Sequence, residues 1–161
     1  MAQNRKHKTN AARIMEAKGI PYEIHEYDVS GGFVDGLSAA RSAGIPEEKV
    51  FKTLVLQGAS REYFVCAIPV GKELDLKKAA RHFGEKKIEM IPMRDLTKVT
   101  GYIKGGCSPI GMKKKFRTAV DQSAEHLETI VVSAGKVGIQ MEVPTSGLLR
   151  AAEASLADLT D

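Results

Sequence analysis

Hydrophobic residues along the chain switch between two spacings, and each switch marks a change of element. The stretch Val50-Phe51-Lys52-Thr53-Leu54-Val55-Leu56 alternates with period two and reads as a strand. Lys52, Leu54 and Leu56 fall on one face, Phe51, Thr53 and Val55 on the other. Residues 63–68 form a second apolar run, and the polar link 57–62 predicts that the two pair antiparallel. Helical spacing takes over after Leu74, where Leu76, Ala79, Ala80 and Phe83 share one face between Asp75 and the stop at Gly84. Thr9 or Asn10 caps an earlier helix that runs through Lys18 and gathers Ala11, Ile14 and Met15. Residues 37–43 make another short helix, ended by Gly44. Further strands are predicted at 22–27, 87–91, 116–120, 129–133 and 139–143, with helical turns at 93–99 and 123–127. A last helix covers 144–152, and residues 153–161 read as a tail. Short strands and helices interspersed with hairpin-length links predict an α+β fold with a mixed, strongly twisted sheet, in preference to a doubly wound one.

Length and composition narrow the function more by exclusion than by indication. At 161 residues the chain suits one domain with a proper core, residues 9–161, preceded by a flexible basic tail at 1–8. No run of eighteen apolar residues exists, which argues against a membrane span, and the basic start lacks the apolar segment of a secretory signal. Cys66 lies in an apolar run and Cys107 in a glycine-rich loop, so a disulfide is not expected and a reducing, cytoplasmic setting is. His7, His25, His82 and His126 are scattered without ligand spacing, so no metal site is indicated. A net charge of +4 suits a polyanionic partner, and equally a surface that lysines merely keep soluble.

The segment richest in chemistry is Gly101-Tyr102-Ile103-Lys104-Gly105-Gly106-Cys107-Ser108-Pro109-Ile110-Gly111, followed by Met112-Lys113-Lys114-Lys115. Glycines let a backbone approach a ligand and aim its N–H groups at one point, and three lysines add positive charge beside them. The loop reads either as a cradle for an anionic or carbonyl-bearing group or as a solvated glycine turn. It is not a nucleotide-binding phosphate loop. Met112 stands at the lysine position of that motif, Pro109 removes a donor, and no apolar strand leads in. Lys52 is the second anomaly, because a lysine on an apolar strand face must reach water, find an anion or lose its proton.

Four pieces, in their order and spacing, resemble one family. They are His25-Glu26-Tyr27, Val50-Phe51-Lys52-Thr53-Leu54, the glycine loop, and Val132-Ser133-Ala134-Gly135-Lys136; Leu74-Asp75-Leu76-Lys77-Lys78 and Lys87-Ile88-Glu89-Met90 also match. Over nearly the whole chain the set resembles the YbaK family of aminoacyl-tRNA deacylases, kin to the editing insertion domain of bacterial prolyl-tRNA synthetase. The resemblance implies a single α+β domain with a mixed, barrel-like sheet surrounded by short helices, working without metal or organic cofactor. It implies the acceptor end of a mischarged tRNA(Pro) as the ligand, and prolyl-tRNA synthetase as a further partner.

Carried onto this sequence, the resemblance makes Lys52 the active-site lysine and Gly105 and Gly106 the backbone donors. Tyr27 and Phe33 line the substrate pocket, Thr53 and Ser108 join them, and Ser133 stands near the substrate. Lys113, Lys114 and Lys115 are then the residues to hold tRNA phosphates. Three departures stand out: Phe33-Val34-Asp35-Gly36 where the family has Phe-Gly-Asp-Glu, Val137 where arginine is commoner, and Gln140 where some relatives carry aspartate. Cys107 offers itself as a nucleophile in a donor-rich loop, but the family implies instead that the thiol of the bound cysteine attacks its own ester. The expected activity is removal of cysteine from tRNA(Pro), with Cys-tRNA(Cys) as a further substrate. The alternatives are removal of alanine from the same tRNA, and a non-catalytic module that binds an RNA end or a synthetase.

Overall fold

A computed structural model describes residues 8–30 and 35–161. Its strands form two sheets. The first has three strands in the order β1-β7-β6, with β1 at Glu23–Glu26, β6 at Thr129–Lys136 and β7 at Ile139–Pro144, all antiparallel. The second has five, in the order β4-β2-β3-β5-β8, with β2 at Phe51–Gly58, β3 at Tyr63–Pro69, β4 at Ile88–Met90, β5 at Arg117–Asp121 and β8 at Ala154–Ala157. Here β2 pairs antiparallel with β3 and β4, while β3–β5 and β5–β8 are parallel. The mixed α+β character predicted from the sequence is present. The strands divide into two sheets that touch through a parallel bridge, Val50 to Val131, and among the described residues form no closed barrel.

The helices start where small polar side chains cap them. Thr9 accepts the Ala12 N–H ahead of α1 (Asn10–Ala17), and Asp35 accepts the Ser38 N–H ahead of α2 (Gly36–Ala43). Asp75 accepts two N–H groups ahead of α3 (Leu76–Phe83), which ends at Gly84 in the left-handed region. Two further helices among the described residues are α4 (Leu96–Thr100) and α5 (Thr145–Ala152). Helix α3 buries Ala79, Ala80 and Phe83 against Leu56, Phe64, Cys66 and Ile68 of the five-stranded sheet. Leu76, expected on the same face, is 40% exposed. Periodicity gives the direction of a face but not how far the partner surface extends beneath it.

The predicted tail is part of the fold. Residues 154–157 become β8, and Leu159 is fully buried. The Leu159 backbone donates to Asp121 Oδ1 at 3.1 Å and accepts from the Asp75 N–H at 2.8 Å, tying the C-terminus to the cap of α3. Strand β6 also runs three residues further than expected, through a bulge between Ser133 and Lys136. At that bulge Gly135 has φ +100, and a Cβ there would meet the Tyr102 ring at 3.0 Å.

Candidate active site

The wedge between the two sheets holds the site. From the Val50–Val131 bridge both strands run in the same direction, so Lys52 and Ser133, two residues on, leave it side by side. Strand β4 pairs with β2 at Leu56–Gly58, and a last bond from the Ile91 N–H to the Val55 carbonyl at 3.1 Å precedes Pro92, which turns the chain away. The edge of β2 at residues 51–54 therefore has no strand from its own sheet beside it on that flank. A cavity of about 260 Å³ lies along it, closed by Ser133 and Gln140 of the other sheet and by Lys104 and Gly105 of the glycine loop.

The three-stranded sheet supplies a polar wall. Ile24, Met141, Val143, Ile130 and Val132 pack into the core from one face. The alternate residues Glu23, His25, Ser133, Gln140 and Glu142 occupy the other face, as period-two geometry requires. Glu142 is the hub of that wall, accepting from Lys49 at 2.7 Å, His25 at 2.8 Å and the Thr129 hydroxyl. Lys49 first, then Thr129 and His25, hold its carboxyl down to about 2. Glu23, His25 and Glu142 bring ligating atoms within 4.8 Å of one another, a grouping the sequence spacing did not reveal. Both Glu142 oxygens are already engaged, so a cation there would have to displace Lys49.

Tyr27, Lys52, Thr53, Gly105 and Ser133 all line the cavity. Lys52 is half-buried and has no ion-pair or hydrogen-bond partner among the described residues. A cation so placed is available to an anion or to a developing oxyanion. The Tyr27 hydroxyl lies 3.4 Å from the Gly105 carbonyl oxygen, and Ser133 Oγ accepts the Gly135 N–H at 3.1 Å while keeping its own O–H to donate. Phe33 lies outside the described residues.

Two loop residues do other work than expected. The Gly106 N–H donates to the Ile103 carbonyl at 2.9 Å, so it is consumed inside a turn and not presented to a ligand. A Cβ on Gly106 would meet the Val137 nitrogen at 3.0 Å, which makes close packing against the β6–β7 hairpin the reason for glycine here. Ser108 is fully buried and accepts the Ile110 N–H at 3.2 Å, stiffening the loop from within. Tyr102 to Ile110, and Asn10 to Gly111 at 3.0 Å, pin the remainder. Cys107 does reach the cavity, but burial pushes its thiol up to about 12, the opposite of an activated nucleophile. Lys113, Lys114 and Lys115 lie beyond the far end of the loop, all three exposed. There Lys115 pairs with Glu153, and Lys114 lines a separate groove of about 280 Å³ with Lys18 and Phe116.

Sequence reasoning missed Gln140 as a cavity residue; the signal was its place on an alternating strand, in register with Ser133. Fold and site together define an α+β domain with a small cleft bearing one uncommitted ammonium and a glycine turn, suited to a polar acyl or phosphoryl group. The model of the aminoacyl-tRNA editing domain matches residues 36–151, and the chain belongs to that family. It is 44% identical over 153 residues, 95% of its length and 93% of the relative's, to an Enterococcus faecalis protein named "Putative Cys-tRNA(Pro)/Cys-tRNA(Cys) deacylase EbsC". Two solved structures share the fold. One, a hypothetical protein, aligns with TM-score 0.85 at 19% identity over 95% of this chain and 100% of its own. The other, described as "a putative trans-editing enzyme for prolyl tRNA synthetase", aligns with TM-score 0.82 at 21% identity over 94% and 95%. No helix among the described residues is long and apolar enough to cross a membrane.

Proposed function

We propose that the protein hydrolyses cysteine from mischarged tRNA(Pro), the bound cysteine supplying its own nucleophile. The observation that carries this is a cavity in which Lys52, without a partner among the described residues, lies beside Gly105 while burial pushes the protein's own thiol, Cys107, up to about 12. Such a site offers charge and geometry but no activated attacking group. In the reaction the substrate sulfur bonds to its own carbonyl carbon, the ester C–O bond breaks, and the thiol proton ends on the departing ribose oxygen. Water then opens the resulting thiolactone to free cysteine. Lys52 and the Gly105 N–H steady the negative charge on the carbonyl oxygen as it develops, and Ser133 is placed to donate a further hydrogen bond. Lys113, Lys114 and Lys115 hold tRNA phosphates outside the cavity, which makes binding salt-sensitive. Prolyl-tRNA synthetase is the partner that would present the tRNA.

The test is deacylation of purified tRNA(Pro) charged in turn with cysteine, alanine and proline. Cysteine is expected to be released, Lys52→Ala to lose that activity and Cys107→Ala to keep it. Release of alanine alone would reassign the substrate, and the reverse pattern of variants would sink the mechanism.

A further inference from the structure

Two buried side-chain atoms of the cavity have no hydrogen-bond partner among the described residues: Thr53 Oγ1 and Gln140 Oε1. Gln140 is 7% exposed and stands directly across from Ser133 on the polar wall. Its neighbour on the same face of β7 shows what satisfaction looks like there, since Glu142 takes hydrogen bonds from three side chains. A buried oxygen left unpaired carries a desolvation cost that a donor on a ligand removes. Both residues line one cavity; Gln140 Oε1 can only accept and Thr53 Oγ1 can accept as well as donate, so together they suit one donor-rich group.

The chemistry of an aminoacyl ester says which group. Its carbonyl and ester oxygens only accept, its thiol is a weak donor, and the neighbouring ribose hydroxyl offers one O–H. The α-amino group alone presents two or three N–H donors from one atom, enough for both oxygens together. We infer that Gln140, with Thr53, holds the α-amino group of the substrate and selects esters whose amine is free. This rests on the deacylase reading.

The charge of the cavity explains an amide in this position. Lys52 and Lys104 line the same space, and the lining carboxylate, Asp35, already accepts the Ser38 N–H at 2.7 Å. A carboxylate at 140, as some relatives carry, would add a negative charge to this space; an amide oxygen accepts without adding one. α-Amino groups titrate near about 7.7–8.0, so both protonation states occur near neutrality, and an amide oxygen accepts from either.

Binding of two stable ligands by calorimetry tests this apart from turnover: adenosine carrying cysteine through a 3′-amide, and the same conjugate made with 3-mercaptopropionate, which lacks the amine. The parent protein is expected to bind the amine-bearing ligand about tenfold more tightly, from one to two net hydrogen bonds. Gln140→Leu should erase most of that preference by weakening the cysteinyl ligand alone, and the near-isosteric Thr53→Val should act in the same direction. An unchanged melting temperature confirms that each variant is folded. Equal affinity of the parent for both ligands, equal weakening of both by Gln140→Leu, or no binding of either would overturn the inference. Amine-selective binding without deacylation of any charged tRNA would sink the hydrolase reading and leave this one standing.

Discussion

The five-stranded and three-stranded sheets are made of strands of similar length and treat their faces differently. In the former, β3 is buried at every position after Tyr63, with α3 on one side and the rest of the core on the other. In the latter one face packs into the core, and the opposite face, apart from the buried Val131, is a row of carboxylate, imidazole, hydroxyl and amide groups. A sheet covered on both faces leaves little space for a ligand, and the charge that this one carries, Lys52, sits at the open flank of β2. A half-covered sheet meeting the open flank of a covered one supplies walls, polar atoms and an entrance together.

The largest effect expected from breaking the contrast is on stability. Phe64 is 1% exposed, stacks on Phe83 with ring centroids 4.5 Å apart, and lies under the Arg117 guanidinium at 5.7 Å. Phe64→Ala should cost about 3–5 kcal/mol in denaturant unfolding while leaving substrate affinity of the folded fraction unchanged. Lys52→Ala is the mirror experiment. It should lower kcat/KM for cysteinyl-tRNA by about 10²–10³-fold with little change in melting temperature.

Glu142 sharpens the comparison through pH. Its folded value of about 2 lies below the ordinary 4.5, so its stabilisation is complete above about 4.5 and is lost as pH falls toward 2. Glu142→Gln should therefore be less stable than the parent at pH 7, and the gap between their melting temperatures should narrow through that window. The smallest effect belongs to the basic surface. Lys114→Ala should reduce the log–log salt slope of tRNA binding by about 0.7–0.9, one phosphate's worth, without altering turnover at saturation.

How much of this was legible varies by residue. Lys52 announced itself as a charge on an apolar strand face, and the structure places it in a cavity without a partner among the described residues. The antiparallel β2–β3 pair and the capped helices followed from local signals, because a cap or a hairpin is decided within a few residues. Gly106 and Ser108 were misread for the same reason in reverse. Glycine content shows that a loop can present its N–H groups, not whether one of them is used three residues back. The C-terminal residues lack periodicity, and β8 exists only because β5 offers a parallel partner some forty residues away in sequence.

By itself the sequence determined the α+β class, the strands other than β8, the capped starts of the first and third helices, and the presence of one lysine and one glycine turn that no core would want. These are consequences of spacing and of individual residue chemistry. The tertiary structure alone decided that the sheets remain two and splay from Val50–Val131, which loop donors stay open, and that Gln140 faces the same cavity as Lys52. Each of those depends on contacts between residues distant along the chain, whose energies no local pattern records.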